Sequence, residues 1–134
     1  MVNIKARNIW IICISIVLLI VVAVFFLRSP EDSWIKDNKG IWAKHGMPAV
    51  IPDYVREQQL GVDCAMALYR NASNQSIAFS SQCLGTCGNY SVDIVNVPRT
   101  GEDNLAENQC PAYLSKETKN FIELDKNGGI VRIA

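Results

Sequence analysis

Four cysteines in the carboxyl-terminal part of this 134-residue chain are the residues best placed to do chemistry: Cys64, Cys83, Cys87 and Cys110. Zinc sites favour pairs with the spacing Cys-x2-4-Cys, and only Cys83 and Cys87 approach it. A thioredoxin-like redox pair needs Cys-x-x-Cys, whereas the chain has Cys-x3-Cys. An even set in a small domain instead favours two disulfides, because a small core gains much from cross-links. Zinc binding and thiol redox chemistry remain the alternatives.

The sequence allows three ways of pairing these four cysteines and does not choose among them. Cys83 and Cys87 could close a short loop if Gly85 makes a sharp turn. We favour the pairing Cys64–Cys83 with Cys87–Cys110, because it would join a helix, a sheet and a loop.

Other reactive constellations are missing from the sequence. His45 is the only histidine and lies far from the cysteines, although a nucleophile needs its base within hydrogen-bond reach. The paired acids Glu31/Asp32 and Glu102/Asp103 flank turn residues, which predicts solvated loop charge, with cation binding as the alternative. The pair Gly128-Gly129 fits a hairpin turn rather than a phosphate loop. We therefore expect no catalytic residue, no metal and no cofactor.

Three Asn-x-Ser sequences match the pattern of N-glycosylation acceptors, at Asn71, Asn74 and Asn89. The first two share one polar turn. Modification at these sites depends on whether the host has the machinery.

One apolar run from Ile9 to Leu27 contains Ser15 but no charge. As a helix of nineteen residues it would be about 28 Å long, close to the hydrocarbon thickness of a bilayer. Secretory signals usually have an apolar region of about 7–15 residues followed by a small-x-small site, so a retained anchor is the better interpretation. We expect the lipid bilayer to be a partner through residues 9–27, with Ser15 bonded to the helix's own carbonyls.

Charge and cysteine usage together predict where the rest of the chain lies. Lys+Arg and Asp+Glu number 13 each, so no global field attracts nucleic acid. Disulfides form in oxidising compartments. We therefore predict a cytoplasmic tail at 1–8, a single-pass segment at 9–27 in the cell membrane, and an extracytoplasmic carboxyl-terminal part.

Residues 28–52 are predicted to form a juxtamembrane linker that contains a small hairpin. Trp34-Ile35 and Ile41-Trp42 flank a turn that ends in Gly40, a hairpin signature. This element is predicted to be a surface spacer, or alternatively an interaction element at a partner or at the membrane interface. Its candidate interaction residues are Trp34, Trp42 and His45.

Residues 53–134 are predicted to form a small α+β domain held by disulfides. The predicted elements are a helix over 53–70 with Asp53 as its N-cap, strands over 77–83 and 90–97, a short helix over 105–114 bent at Pro111, and a hairpin of 121–125 with 130–133 around Asn127-Gly128. The predicted apolar helix face is Val55, Leu60, Cys64, Met66 and Leu68. One helix on a mainly antiparallel sheet of about four strands follows.

The pattern Trp34…Gly40-Ile-Trp-Ala-Lys-His-Gly-Met-Pro48 after a single anchor resembles small uncharacterised membrane proteins of archaea and reduced-genome bacteria. In those proteins the first strand and the spacer often carry further cysteines, which this chain lacks. The segment from Phe79 to Gly128 also resembles domains that accompany such anchors. The resemblance implies a membrane location and no particular activity. The architecture is similar to cystatin-like and PepSY-like folds.

These features predict a non-enzymatic binding module at the cell surface, whose partner is an envelope protein or another ligand. One alternative is a PepSY-like or cystatin-like inhibitory or structural domain, such as one that restrains a peptidase. The other is a thiol redox or zinc-binding protein.

Overall fold

The computed structural model describes residues 4–27 and 32–134. Its first element is helix α1 (Ile4–Leu27), which starts within the predicted tail. The window Ile9–Phe26 has a mean hydropathy of 3.3 and is not buried against the rest of the described chain, so the helix is long and apolar enough to cross a membrane. The Ser15 hydroxyl donates to the carbonyl of Ile11, as predicted. Residues 1–3 of the predicted tail and 28–31 of the predicted linker lie outside the described residues.

The predicted hairpin is confirmed as strands β1 (Ser33–Lys36) and β2 (Trp42–His45), which pair antiparallel. One carboxylate oxygen of Asp37, Oδ1, accepts the N–H groups of Lys39 and Ile41, each at 2.8 Å, and so organises the turn. Gly40 has φ +81°, and a Cβ on it would lie 2.1 Å from the Ile133 carbonyl oxygen. The turn therefore requires glycine both for its conformation and for its packing.

The hairpin lies at the surface, with no fully buried residue in its strands, and is hydrogen-bonded to the rest of the domain. The buried side chain of Gln58 accepts the Trp42 N–H at 2.8 Å and donates to the Gly40 carbonyl at 2.9 Å. The backbone N–H of Ile133 donates to the Lys39 carbonyl at 2.7 Å. These bonds satisfy backbone groups that a free hairpin would leave to water.

Helix α2 (Asp53–Asn74) runs one turn beyond the predicted end. The N-cap position is Pro52 and makes no side-chain cap, so the prediction of Asp53 as N-cap is wrong. Leu60, predicted in the apolar face, is exposed. Gly61 faces the sheet in its stead, and a Cβ there would lie 2.9 Å from the Tyr90 ring. Only the smallest residue allows the helix to approach that ring.

The main sheet has four strands in the order β3 (Gln82–Cys87), β4 (Tyr90–Ile94), β5 (Asn120–Leu124) and β6 (Ile130–Ile133). The two hairpins β3–β4 and β5–β6 are antiparallel, and β4–β5 is parallel. The predicted fold class and final hairpin are confirmed. The strand predicted over 77–83 begins only at Gln82. The strand predicted over 90–97 ends at Ile94.

One face of this sheet packs on α2 and forms the core. Val92, Ile94, Ile122 and Leu124 are fully buried there, together with Ala65 of α2. The parallel pairing of β4 with β5 requires the chain to cross from one end of the sheet to the other. Residues 95–119, which make this crossover, carry two 3₁₀ turns (Gly101–Asn104 and Ala106–Asn108) and the one-turn helix α3 (Pro111–Leu114), in place of the single bent helix predicted there.

Two disulfides are present, as predicted, but their pairing is Cys64–Cys87 and Cys83–Cys110. The favoured pairing is wrong because Cys87 lies opposite Tyr90, whose ring faces α2, whereas Cys83 lies opposite Asp93 on the other face of the sheet. A bulge in β3 between Cys83 and Gly85 separates the two cysteines. Residues four apart in a regular strand share a face, whereas one extra residue moves them to opposite faces. Cys87 therefore meets the helix, and Cys83 meets the crossover.

Candidate functional site

The face of the sheet that points away from α2 carries a row of charged side chains. The strand register aligns Cys83 of β3 with Asp93 of β4, Asp93 with Glu123 of β5, and Glu123 with Arg132 of β6. Directly opposed residues in neighbouring strands point to the same face, so these side chains are neighbours. We call Asp93, Glu123, Arg132 and Arg99, which approaches from the crossover, the charged row.

Glu123 lies at the centre of the charged row and is 4% exposed. Arg132 binds it with two hydrogen bonds, Nε to Oε2 and Nη2 to Oε1, each 3.1 Å long. Arg99 Nη1 makes a further ion pair with Oε1. A buried carboxylate needs such partners because desolvation otherwise disfavours its charge. The Arg132 guanidinium also lies 4.7 Å from the ring centroid of Phe121.

Asp93 is the member of the row whose charge is least compensated. Its Oδ1 atom is buried and accepts no hydrogen bond from any residue that the structure describes. Burial and, second, the negative charge of Glu123 raise the pKa of Asp93 from 3.8 to about 6. The backbone N–H of Cys110 and the charge of Arg99 act in the opposite direction. This carboxyl group therefore changes its charge near pH 6.

The crossover forms one wall of the site and is held in place by Asp103, which is buried. Asp103 accepts the backbone N–H of Asn96 at 2.9 Å and that of Thr100 at 2.6 Å. Burial opposes its ionisation, but these hydrogen bonds outweigh burial, and the pKa of Asp103 lies below its ordinary value. The disulfide Cys83–Cys110 ties the same segment to β3. The prediction that Glu102/Asp103 is solvated loop charge is thus wrong for Asp103.

A pocket of about 160 Å³ lies between the charged row and the crossover. Its lining adds Tyr113 and Phe121, whose rings meet edge to face at 5.5 Å, and the amides of Asn108 and Gln109. At about 30 Å³ for a water molecule, this volume holds on the order of five waters or one polar side-chain-sized group. We call this space the polar pocket.

The polar pocket is lined by carboxylates, guanidinium groups and amides. Ligand atoms of Cys83, Asp93 and Cys110 lie within 4.8 Å of one another, but the two sulfurs are bonded to each other and cannot act as thiolate ligands. Ser81 lines the pocket and its side chain is hydrogen-bonded to the Asp103 carboxylate, and neither a histidine nor a free cysteine is among the described lining residues. The groups that line the pocket can accept hydrogen bonds, donate hydrogen bonds and neutralise charge.

The three residues predicted for interaction do not form one site. Trp34 and Trp42 share a face of the small hairpin, whereas His45 is exposed at the end of β2 and points to the other face. The Trp34 Nε1–H donates to the Val50 carbonyl at 3.0 Å. The Trp42 ring packs at 4.7 Å from the ring of Tyr54. The hairpin and the segment after it enclose a second concave surface.

The predicted glycosylation positions Asn71, Asn74 and Asn89 are all exposed. The first two lie near the carboxyl end of α2 and the third in the β3–β4 turn. The hydroxyl of Ser91, which completes the third sequence, is buried and hydrogen-bonded to Thr118 at 2.7 Å. Glycosylation there would have to precede folding, and modification at all three stays a prediction.

Sequence reasoning missed the charged row, although a signal was present. Asp93, Glu123 and Arg132 are the single charged residues inside otherwise apolar stretches, and the final hairpin places Glu123 opposite Arg132. Arg99 carried no such signal, since only the crossover brings it to Glu123.

No protein-family model, curated protein or solved structure matches this chain. The charged row and the polar pocket therefore have to be interpreted from their own chemistry.

Proposed function

We propose that this chain is a single-pass, membrane-anchored binding module without enzymatic activity, with its disulfide-linked domain outside the cytoplasm. Helix α1 supports the anchor, because its apolar window of 18 residues is uninterrupted by charge and is not covered by the rest of the described chain. The two disulfides support the outside location, since such bonds persist in oxidising compartments.

The observation that carries the binding role is the charged row beneath an open pocket. Replacing a buried ion pair by apolar side chains of similar volume is often neutral or stabilising, so stability alone does not account for a charged row at this position. Titratable groups with perturbed pKa values beside a cavity are typical of functional sites. We propose that the polar pocket receives a polar side chain or end group of an envelope partner, which supplies a donor to Asp93.

Site-directed photo-crosslinking in the native membrane tests this proposal. Benzoylphenylalanine in place of Tyr113, at the pocket, should give a crosslinked product, and the same group in place of the exposed Arg70 on α2 should not. The product should weaken when Asp93→Asn is added. Equal products from both positions, or a product insensitive to Asp93→Asn, would contradict the proposed site.

A thiol titration distinguishes the binding module from the thiol redox and zinc alternatives. The unfolded, unreduced full-length chain should expose one thiol, that of Cys13, which is the free cysteine of the described residues. Three or five reactive thiols, or zinc that copurifies with the protein, would favour the alternatives.

A further inference from the structure

The second concave surface, on the hairpin side of the domain, is apolar and open. It encloses about 500 Å³, and its lining includes Trp34, Met47, Val50 and Tyr54. Met47 is 79% exposed, Val50 72% and Tyr54 48%. Single exposed apolar residues are ordinary, but several gathered around one concavity mark an interaction surface. We call this surface the hairpin groove.

The hairpin groove is preformed. The hydrogen bond from Trp34 Nε1 to the Val50 carbonyl fixes the segment after the hairpin against β1. The Met47 N–H donates to Asp32 Oδ1 at 2.9 Å, which closes the other end. Binding to such a surface requires little ordering of the protein.

The covalent chain keeps this groove close to the end of helix α1. Leu27 ends the helix, and Asp32 already belongs to the wall of the groove. Five residue steps extend to at most about 18 Å. If α1 spans a bilayer, the headgroup region extends about 5–8 Å beyond the hydrocarbon on each side, so the groove is held within reach of lipid. Such a tether gives weak contacts a high effective concentration.

The charges around the hairpin groove suit lipid headgroups. Asp32, which lines the groove, accepts the Met47 N–H, and Asp53, between the lining residues Pro52 and Tyr54, makes an ion pair with Arg56. Lys36 and Lys44 have no ion-pair partner among residues 4–27 and 32–134. Basic side chains beside Trp, Tyr and exposed aliphatic groups are typical of surfaces that rest on a membrane interface.

We propose that the hairpin groove docks on the interface of the same bilayer that holds α1, so that lipid covers Met47 and Val50. This inference rests on the anchor of the proposed function. It also gives the module an orientation, with the hairpin side on the membrane.

Nitroxide accessibility in the full-length protein tests the docking. A ketone-bearing amino acid at Met47 carries the nitroxide without involving the cysteines, and a matched label replaces Val97, which is 65% exposed and lies outside the groove. The protein is reconstituted in vesicles of phosphatidylcholine and phosphatidylglycerol. The label at Met47 should collide more with oxygen than with a water-soluble nickel chelate, and the label at Val97 should do the reverse.

A pair of serine variants sharpens this test. Val50→Ser should lower the ratio of docked to undocked protein about tenfold, since burying one such side chain is worth about that factor. Leu60→Ser, at an exposed residue of α2 outside the groove, should leave the accessibility at position 47 unchanged. An equal effect of both variants would overturn the assignment to the groove.

The remaining outcomes separate the docking from the anchor. If the protein leaves membranes in an alkaline wash, or intact mass finds α1 removed, the proposed anchor fails. If the protein stays in the membrane and the label at Met47 meets the nickel chelate as freely as the label at Val97, only the docking fails. If the label at Met47 is shielded from both reagents and regains access when the protein is diluted in lipid, a second copy covers the groove, which also overturns the proposal.

Discussion

The two faces of the four-stranded sheet share the same backbone and differ in chemistry. On the α2 side, Val92, Ile94, Ile122 and Leu124 are fully buried against the helix. On the crossover side, Arg99 and Arg132 pair with Glu123, and the crossover adds the buried Asp103. Each face has one disulfide, Cys64–Cys87 toward the helix and Cys83–Cys110 toward the crossover.

The proposed function assigns stability mainly to the α2 face and recognition to the crossover face. Apolar burial stabilises the fold by an amount that scales with the buried area and does not depend on pH. Buried charges contribute little net stability but present directional groups whose charge changes with pH. The predictions below test this division.

The largest effect is expected from reduction of both disulfides. The bridges join residues 23 and 27 positions apart, and loop closure alone predicts about 3–4 kcal/mol for each. A small domain has about 5–10 kcal/mol of total stability, so reduction should unfold it or nearly so. Thermal unfolding of the full-length protein in detergent, with and without reductant, measures the effect. An unchanged melting temperature would contradict the role of the bridges.

Removing one bridge at a time then compares the two faces directly. The two loops are of similar length, so removing either bridge should raise the entropy of the unfolded chain by a similar amount. From this source alone, Cys64→Ala/Cys87→Ala and Cys83→Ala/Cys110→Ala should lose similar stability. A difference above about 1 kcal/mol would therefore come from the folded faces. Cys13→Ala serves as the control and should change nothing, since a lone thiol among apolar side chains behaves as a small hydrophobe.

The next largest effect is expected from a cavity on the α2 side. Ile122 is fully buried, and Ile122→Ala should lower the free energy of unfolding by about 2–5 kcal/mol. Urea unfolding measures this change. Leu60→Ala on the exposed side of the helix should stay within about 0.5 kcal/mol of the wild type. A loss under 1 kcal/mol at Ile122 would mean that the apolar face is not the main source of stability.

A smaller loss of stability is expected when the ion pairs of the charged row, on the crossover side, are broken. Glu123→Gln keeps the shape but leaves Arg99 and Arg132 without a carboxylate. Those two side chains are 37% and 51% exposed, so water can solvate part of their charge. The free energy of unfolding should therefore fall by about 1–3 kcal/mol. Raising the salt concentration should reduce the difference from wild type. A loss equal to that of Ile122→Ala would remove the proposed distinction between the faces.

The smallest effect is expected from Asp93 and depends on pH. A carboxyl group whose pKa is higher in the folded than in the unfolded state binds more protons when folded, so stability is lost as pH rises from about 4 to about 6. Because Asp93 is partly exposed, we expect the change in the free energy of unfolding to be about 1–2 kcal/mol, which is less than the full pKa shift would give. Asp93→Asn should therefore be more stable than the wild type at pH 7, with a difference that disappears near pH 4.

Asp103 provides the control of opposite sign. Its pKa is lowered by folding, so its contribution is present at neutral pH and is lost as pH falls below its ordinary range. Asp103→Asn should destabilise the protein at pH 7 and less so in acid. If both variants shift stability in the same direction at pH 7, the contrast between the two carboxyl groups is wrong.

Some features of this protein followed from local sequence alone. The apolar run, the small hairpin with Gly40, the final hairpin around Asn127-Gly128 and the use of the cysteines in disulfides depend on composition, turn chemistry and periodicity. These signals act over a few residues, so they can be read without knowing the fold.

Other features were decided by tertiary structure. The bulge in β3 puts Cys83 and Cys87 on opposite faces of the sheet, the register with β4 decides which cysteine faces α2, and the parallel pairing of β4 with β5 aligns Asp93 with Glu123. The crossover then brings Arg99 to Glu123 across 24 residues of sequence. Register and crossover depend on contacts between distant segments, and a shift of one residue would send each side chain to the other face of the sheet. The charged row therefore exists only in the folded chain.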